Sequence, residues 1–325
     1  MSGEGKSSEA PILCPLCQYP AEILNRSHPG YEQPATFVIA ECSYCDAQFC
    51  HPMTADEKLY ERVYEHAATL PGYSRYKWYT DQVGKQKDPL GWLAEQEEAY
   101  AFIAGKVGGA KGGRVLEVGS GFGYLTFALR RAGYDVRGLE LSERAVSAAR
   151  ARFGDFYELC DITQVDGSKF LADVIVMTEV VEHTADPLKL LRCLNGMLRP
   201  GGVALVTTPN KSAVAKGAYW MTDNPPVHFW WFSETTLRRL AQMSGFTISF
   251  NGAESHARTS VWPAYFDDKG RQIFPANWLR RLLEVSPGFT LSLLSLARRS
   301  RQRRARREAN DEHDGTMCVV LKKIG

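Results

Sequence analysis

Residues 114–141 constrain this chain more than any other stretch. Arg114-Val-Leu-Glu117-Val118 reads as an apolar strand running straight into Gly119, Gly121 and Gly123, spaced G-x-G-x-G. A helical run over 124–132 follows and is closed by Gly133. A second short strand, 134–139, ends on an acid, Glu140. Strand, glycine turn, helix, strand and acid is the order that grips a nucleoside at the carboxyl edge of a parallel sheet. A side chain in the turn would fill the ligand's space and resist the dihedrals, so glycine is required. Glu140 offers acceptors to two ribose hydroxyls.

The spacing narrows the ligand. A dinucleotide fingerprint, G-x-G-x-x-G, would place its third glycine at 124, where Tyr124 stands. No Lys-Ser or Lys-Thr pair follows the loop, which excludes a phosphate-cradling P-loop. Glu117, just before the glycines, repels phosphate and welcomes a cation. S-adenosylmethionine (SAM) combines a sulfonium and an ammonium with a ribose and an adenine.

On Glu117, Gly119, Gly121, Gly123 and Glu140 the chain resembles the class I SAM-dependent methyltransferases. Further matches follow in order. Cys160-Asp161-Ile162 closes a third strand, where the family places an acid near the adenine. Asp173-Val-Ile-Val-Met-Thr178 is a fourth strand, followed by Glu179-Val-Val-Glu182-His183. Leu198-Arg-Pro-Gly-Gly202 is the family's turn before a fifth strand at 203–208. The resemblance covers roughly 96–250 plus the last strand, nearest the branch of ubiquinone-biosynthesis O-methyltransferases and sugar or natural-product methyltransferases. It implies an α/β fold, a Rossmann-like seven-stranded methyltransferase sheet with the last strand antiparallel; to this the chain is expected to add a small N-terminal zinc-binding domain. The implied donor-binding set is Glu117, Gly119, Gly121, Gly123, Glu140, Asp161, Ile162 and Thr178.

The zinc expectation comes from the cysteines. Four of the eight form two C-x-x-C pairs, Cys14/Cys17 and Cys42/Cys45. Without a secretion signal this pattern reads as metal binding rather than disulfides. Two tight thiolate turns supply the four soft ligands that zinc takes. Cys50-His51, just downstream, is the competing ligand pair. A module this small lacks a core of its own, so metal would supply its folding energy. Cys160, Cys193 and Cys318 read as buried, inert thiols.

The expected organisation is a disordered tail (1–11), a zinc ribbon (12–52) with a strand near 36–40, and a Tyr-rich linker (53–95). The methyltransferase domain follows (96–325), carrying an insertion at 252–316. The linker is either packing material or a lid. One helix is expected over 92–107, and helices capped by Ser142, Asp186-Pro187 and Ser233. Strands six and seven fall at 246–251 and 317–322.

At the carboxyl end of strand four, a helical turn would put Glu179, Glu182 and His183 on one face. The three then serve either as ligands to a divalent cation, as in the ubiquinone-biosynthesis relatives, or with His183 as general base or orienting group. A third reading has Glu182 and His183 only satisfying a loop. His228, after Pro225-Pro226, is a second base or a packed residue. Tyr219, Trp220, Trp230 and Trp231 suggest an aromatic acceptor wall, with burial in the core as the rival reading. Asn224-Pro225-Pro226 is not the amine-methylating motif, because it lies beyond strand five.

Methyl transfer needs only alignment of a nucleophile behind the methyl group and removal of its proton. The expectation is in-line SN2 O-methylation of a small-molecule or glycan acceptor; the alternative is an RNA or protein methyltransferase. Net charge is +2, but residues 298–308 hold seven arginines and Glu308, leaving −4 for the rest. A body without basic character argues against nucleic acid along its surface. The leucine- and arginine-rich stretch 278–307 offers peripheral contact with an anionic membrane, or a solvated helix or oligomer contact. No apolar run reaches the roughly 18 residues that span a bilayer, so a cytoplasmic protein is expected.

Overall fold

The computed structural model describes residues 10–32, 34–56, 58–68, 73–110, 112–213, 224–251 and 315–324. Residues 1–9 of the expected tail, Tyr219, Trp220, nearly all of 252–316 and the whole of 278–307 lie outside the described residues.

The chain opens with three strands, β1 (Glu22–Pro29), β2 (Thr36–Glu41) and β3 (Gln48–His51). Four helices follow: α1 (Leu59–His66), α2 (Tyr73–Val83), α3 (Pro89–Gln96) and α4 (Glu98–Lys106). Alternation then sets in with β4 (Arg114–Val118), α5 (Tyr124–Arg131), β5 (Asp135–Glu140), α6 (Glu143–Phe153) and β6 (Tyr157–Leu159). It continues through β7 (Ala172–Thr178), α7 (Pro187–Met197) and β8 (Leu198–Pro209). Last come β9 (Trp230–Trp231), α8 (Glu234–Met243), β10 (Phe246–Phe250) and β11 (Thr316–Lys323).

The larger sheet has seven strands in the order β10-β11-β8-β7-β4-β5-β6. β11 runs antiparallel to both its neighbours, as expected, while β8, β7, β4, β5 and β6 are parallel. Strands β4 and β7 are buried along almost their whole length. Helices cover both faces of a parallel sheet, so its central strands read as continuous apolar runs. One cluster packs α2, α3, α4 and α5 on one face; the other joins α7 and α8 to the N-terminal strands.

Local chemistry sets the helix starts. Ser142, Asp186 and Ser233 accept from Ala145 N, Lys189 N and Thr236 N, the N-cap geometry expected of these residues. Two expectations need correction. The single helix over 92–107 is two helices, because Glu97 is extended (φ −140°, ψ 152°). Its carboxylate is engaged instead by Tyr79 Oη at 2.6 Å and by Arg75 Nε at 3.1 Å. The turn before strand five is absorbed into β8, whose register against β7 slips between Ala172 and Val174.

The smaller sheet has the order β1-β2-β3-β9. Its fourth strand comes from beyond β8, so the N-terminal strands are completed by the body of the protein. Phe49 pairs with Trp230 and Gln48 with Trp231. Trp230 also meets Phe49 at 5.7 Å and stacks on Phe232. Lys211 Nζ reaches across to Glu41 Oε1, Asp46 O and Asp46 Oδ1 at 2.6–2.7 Å. The cysteine-bearing module thus shares a core with the larger sheet.

The glycine turn divides into packing and open positions. At Gly123 (φ +82°) an added Cβ would sit 2.6 Å from the Tyr157 ring and 2.8 Å from Ala149 Cβ. At Gly121 (φ +51°) its nearest neighbour would be Tyr64 Oη, at 3.4 Å. Left-handed backbone costs an alanine about 1 kcal/mol at either place, and overpacking adds about 2 kcal/mol at Gly123. Gly123→Ala is therefore expected to lower unfolding free energy by about 3 kcal/mol in urea titrations, and Gly121→Ala by about 1 kcal/mol.

Candidate functional site

A cavity of about 500 Å³ lies at the carboxyl ends of β4, β5 and β7. Its floor is the turn at Gly119, Ser120 and Gly121, and Glu117, Glu140, Asp161, Ile162 and Thr178 line it as the sequence suggested. Glu140 is held by backbone: Oε2 accepts from Gly121 N at 2.8 Å, and Oε1 from Leu141 N and Ser142 N at 2.9 and 3.0 Å. A carboxylate has about four lone-pair sites, so one remains for a ligand. Asp161 Oδ1 accepts from Thr163 N and Oγ1, which orients the acid at the cavity's edge. Gly123 does not line the cavity; its role is the turn.

Glu117 departs from expectation. It is buried and accepts from Thr126 Oγ1. Burial pushes its carboxyl up to about 8. In the free protein it is mostly protonated at neutral pH, so repulsion of phosphate by a fixed anion does not hold. Burial likewise raises Glu140, and brings Glu179 to about 7.

The residues after β7 are also arranged differently from the expected helical face. Glu179 sits in left-handed backbone (φ +52°), and the helical turn spans only Val181–His183. Glu179 N donates to Thr207 O, and its Oε1 accepts from Thr207 Oγ1. That strand-edge bonding sets it apart from Glu182 and His183. The histidine that joins them is His228: one ligand-type atom from each of Glu182, His183 and His228 lies within 4.8 Å of the others.

Both histidines are pinned. His183 Nδ1–H donates to the Val227 carbonyl at 2.6 Å, which leaves Nε2 as the acceptor nitrogen. Burial holds this imidazole down at about 4. His228 meets it edge-on with ring centroids 4.5 Å apart; burial, and then the charge of His183, keep it well below the usual histidine range. Glu182 accepts from Thr208 Oγ1 at 2.8 Å through Oε2, and its Oε1 is 3.8 Å from His183 Nε2.

Helices α1 and α2 contribute Tyr60, Tyr64, Tyr73, Arg75 and Tyr76 to the lining. Tyr64 meets Phe122 edge-on at 5.1 Å, Tyr76 stacks on Tyr124, and Tyr60 Oη donates to Val227 O at 3.2 Å. The tyrosine run was visible in the sequence, but nothing local showed that it folds onto the glycine turn. Arg75 gave no signal at all. Trp230 and Trp231 correct the acceptor-wall expectation: both are buried in the core shared with the smaller sheet, and neither lines the cavity.

Away from the cavity, the Cys14, Cys17, Cys42 and Cys45 sulfurs all lie within 4.8 Å of one another. The Cys14–Cys45 and Cys17–Cys42 separations are both 3.5 Å. A tetrahedron with Zn–S near 2.3 Å has edges of about 3.8 Å, so this donor set fits zinc. Cys50 stays outside the cluster, where burial pushes its thiol up to about 12, and His51 is exposed.

Residues 94–249 match a family described as Methyltransferase domain. A ubiquinone biosynthesis O-methyltransferase of Aromatoleum aromaticum is 31% identical over 110 residues, covering 32% of this chain and 47% of its own length. A protein of Mycolicibacterium smegmatis, named a probable S-adenosylmethionine-dependent methyltransferase, is 31% identical over 173 residues, covering 50% of this chain and 63% of its own. The chain thus spans about half to two-thirds of these relatives. Residues 94–249 thus carry a methyltransferase domain. A solved SAM-dependent methyltransferase from Mesorhizobium loti aligns over 71% of this chain and 100% of its own, at 19% identity and TM-score 0.45.

Acidic side chains outnumber basic ones in the cavity. Glu97, Glu117, Glu140, Asp161, Glu179 and Glu182 line it, and Arg75 is its only arginine or lysine among the described residues. Even with Glu117 protonated, the acids outnumber the one arginine, and a nearby cation would draw a raised carboxyl back to its ionised form. A carboxyl raised in the folded state means that the native protein holds protons which the unfolded chain has released. Stability should therefore fall as pH rises from about 4.5 towards 8, the range between the ordinary and folded values of Glu117. Glu117→Gln is expected to shallow that fall, read as the change in urea midpoint between pH 5 and pH 8.

Proposed function

We propose that this methyltransferase transfers the methyl group of SAM to a hydroxyl of a small-molecule or glycan acceptor. The observation that carries the proposal is the neutral His183 imidazole. Its Nδ1–H is anchored on Val227 O, and its Nε2 is left to receive a proton in a cavity that also holds the glycine turn. When bound, SAM supplies an electrophilic methyl group.

In this reading Glu140 answers the ribose, while Leu141, Asp161 and Ile162 border the adenine. Arg75 answers the carboxylate of the donor's amino-acid end, and Glu117 and Thr178 lie near that end. Tyr60, Tyr64, Tyr73 and Tyr76 form a lid over the acceptor, with faces suited to planar rings or sugar faces. Residues 12–52 are a zinc-bearing module, and 53–95 supply the lid.

His183 Nε2 accepts the hydrogen bond of the acceptor hydroxyl and so orients its lone pair. A hydroxyl oxygen becomes a very strong acid as it gains a methyl group, so a weak base suffices to take the proton. A second reading rests on the same geometry. Glu182, His183 and His228 could together hold a divalent cation, since neutral imidazoles and a carboxylate are its usual ligands. A cation there would bind the acceptor oxygen directly, and His183 would then be a ligand rather than a base.

Incubating purified protein and cellular extract with methyl-labelled SAM, followed by mass spectrometry, tests the reaction class. Label on a small phenol or sugar hydroxyl is expected; label confined to RNA or protein would overturn the small-acceptor reading. His183→Ala should lower kcat by about 100-fold or more while S-adenosylhomocysteine binds within about twofold of normal; full turnover would remove His183 from the mechanism. Because burial holds its imidazole down at about 4, the rate should show a His183-dependent fall only as pH drops towards that value. A metal content above one zinc per chain, lost together with activity in Glu182→Gln, would favour the cation.

Arg75→Ala should weaken S-adenosylhomocysteine by about tenfold, the scale of one charge-assisted hydrogen bond. Adenosine, which lacks the carboxylate, should bind both proteins alike in calorimetry.

A further inference from the structure

Residues 224–231 connect two parts of the molecule that are far apart in sequence. On one side they are bound to the cysteine-bearing module. His28 Nε2–H donates to Asn224 Oδ1 at 3.2 Å in a buried pair, and Tyr31 N donates to Pro225 O at 2.7 Å. Cys50 N donates to Phe229 O at 3.0 Å, and β3 pairs with β9.

On the other side the same segment bonds the residues read as the acceptor end of the cavity and contributes His228 to its lining. Val227 O holds His183 Nδ1, His228 lines the cavity, and Phe229 N donates to Glu182 O at 2.9 Å. Trp230 Nε1 donates to Thr184 O at 2.9 Å. Glu182, His183 and Thr184 are thus each bonded to a segment that the N-terminal module holds.

Glu140 is bonded by Gly121, Leu141 and Ser142, and none of the cavity's described lining residues comes from 12–52. The second C-x-x-C turn is itself tied to the body, through Thr236 Oγ1 to Cys45 O and through Lys211 to Asp46. Two of the four cysteines, Cys42 and Cys45, lie between β2 and β3, the strands that carry the sheet to β9.

We infer that the four-cysteine module is a positioning device for the acceptor end of the cavity, in which metal held by Cys14, Cys17, Cys42 and Cys45 fixes His183 and His228 through residues 224–231 and leaves the donor end alone. His28 and Asn224 are its positioning residues. Their side chains meet each other rather than a substrate, and they act through the Val227 carbonyl. The inference rests on reading His183 and His228 as acceptor-end residues.

Amide hydrogen exchange on the intact zinc-loaded protein tests this without an identified acceptor. Stripping the metal with a chelator should raise exchange at least tenfold in peptides covering 181–184 and 226–232. Peptides covering 119–131 should stay within twofold, and S-adenosylhomocysteine affinity should be unchanged. Asn224→Ala, with all four cysteines and the metal in place, should reproduce the rise at both acceptor-end segments, and Asn224→Asp should restore protection in part. A uniform rise at both ends of the cavity, or none at 181–184, overturns the inference. Failure of zinc-loaded wild type to bind S-adenosylhomocysteine would sink the methyltransferase reading instead, and would leave the contrast in exchange standing.

Discussion

The hydrogen bond from His183 Nδ1 to the Val227 carbonyl, at 2.6 Å, is the contact on which the proposed acceptor end depends. It chooses the tautomer, and so decides which ring nitrogen can receive a proton. It also needs a carbonyl held in place, and Val227 is in a loop. Loops hold position only through the groups that bond them. Here those groups are Tyr60 Oη from α1, the Asn224 carbonyl that takes the Val227 N–H, and the N-terminal sheet on the far side. The loop that carries this carbonyl therefore lies between the N-terminal sheet, which pairs with β9, and the larger sheet, from whose edge His183 comes.

Burial and charge oppose each other in the cavity, and burial wins while no ligand is bound. Glu117 and Glu179 are driven up to about 8 and 7, and His183 down to about 4, each toward its uncharged form. A cationic ligand reverses that balance for the carboxyls, because an opposite charge within a few ångströms favours ionisation. It does the opposite for the histidines, which a nearby cation keeps neutral. Neutral imidazoles beside ionisable carboxyls thus form a site whose charge can follow that of a cationic ligand. Arg75, bridged to Glu97 and to Tyr76 Oη, keeps one positive group at the end where a carboxylate would lie.

Much of this was legible in the sequence where a motif is local. The glycine turn, the acid at Glu140 and the caps at Ser142, Asp186 and Ser233 follow from short-range signals, while the inserted antiparallel strand follows from the resemblance. The two C-x-x-C pairs were equally plain, and the structure brings their sulfurs together. What was not legible is pairing across distance. Trp230 and Trp231 have the composition of a pocket wall, and only their pairing with Gln48 and Phe49 shows that they close a sheet. The tyrosines of α1 and α2 carry no mark of the surface they cover. The expected helix over 92–107 failed at Glu97, whose local propensity is helical but whose carboxylate is claimed by Arg75 and Tyr79.

The exchange of Glu179 for His228 follows the same logic. Spacing of i, i+3 and i+4 places three residues on one face only if the backbone is helical throughout. At Glu179 the backbone turns left-handed, because its N–H completes the edge of the sheet against Thr207 O while its carboxyl returns to Thr207 Oγ1. The helical turn then starts too late to include it. The third position beside Glu182 and His183 falls to a residue about 45 positions onward in sequence, delivered by the loop that the N-terminal sheet holds. A carboxylate in that position would have added negative charge to an already acidic cavity. An imidazole kept neutral by burial adds a donor atom without adding charge, and this lets two histidines and one carboxylate sit together with one ligand-type atom of each within 4.8 Å of the others.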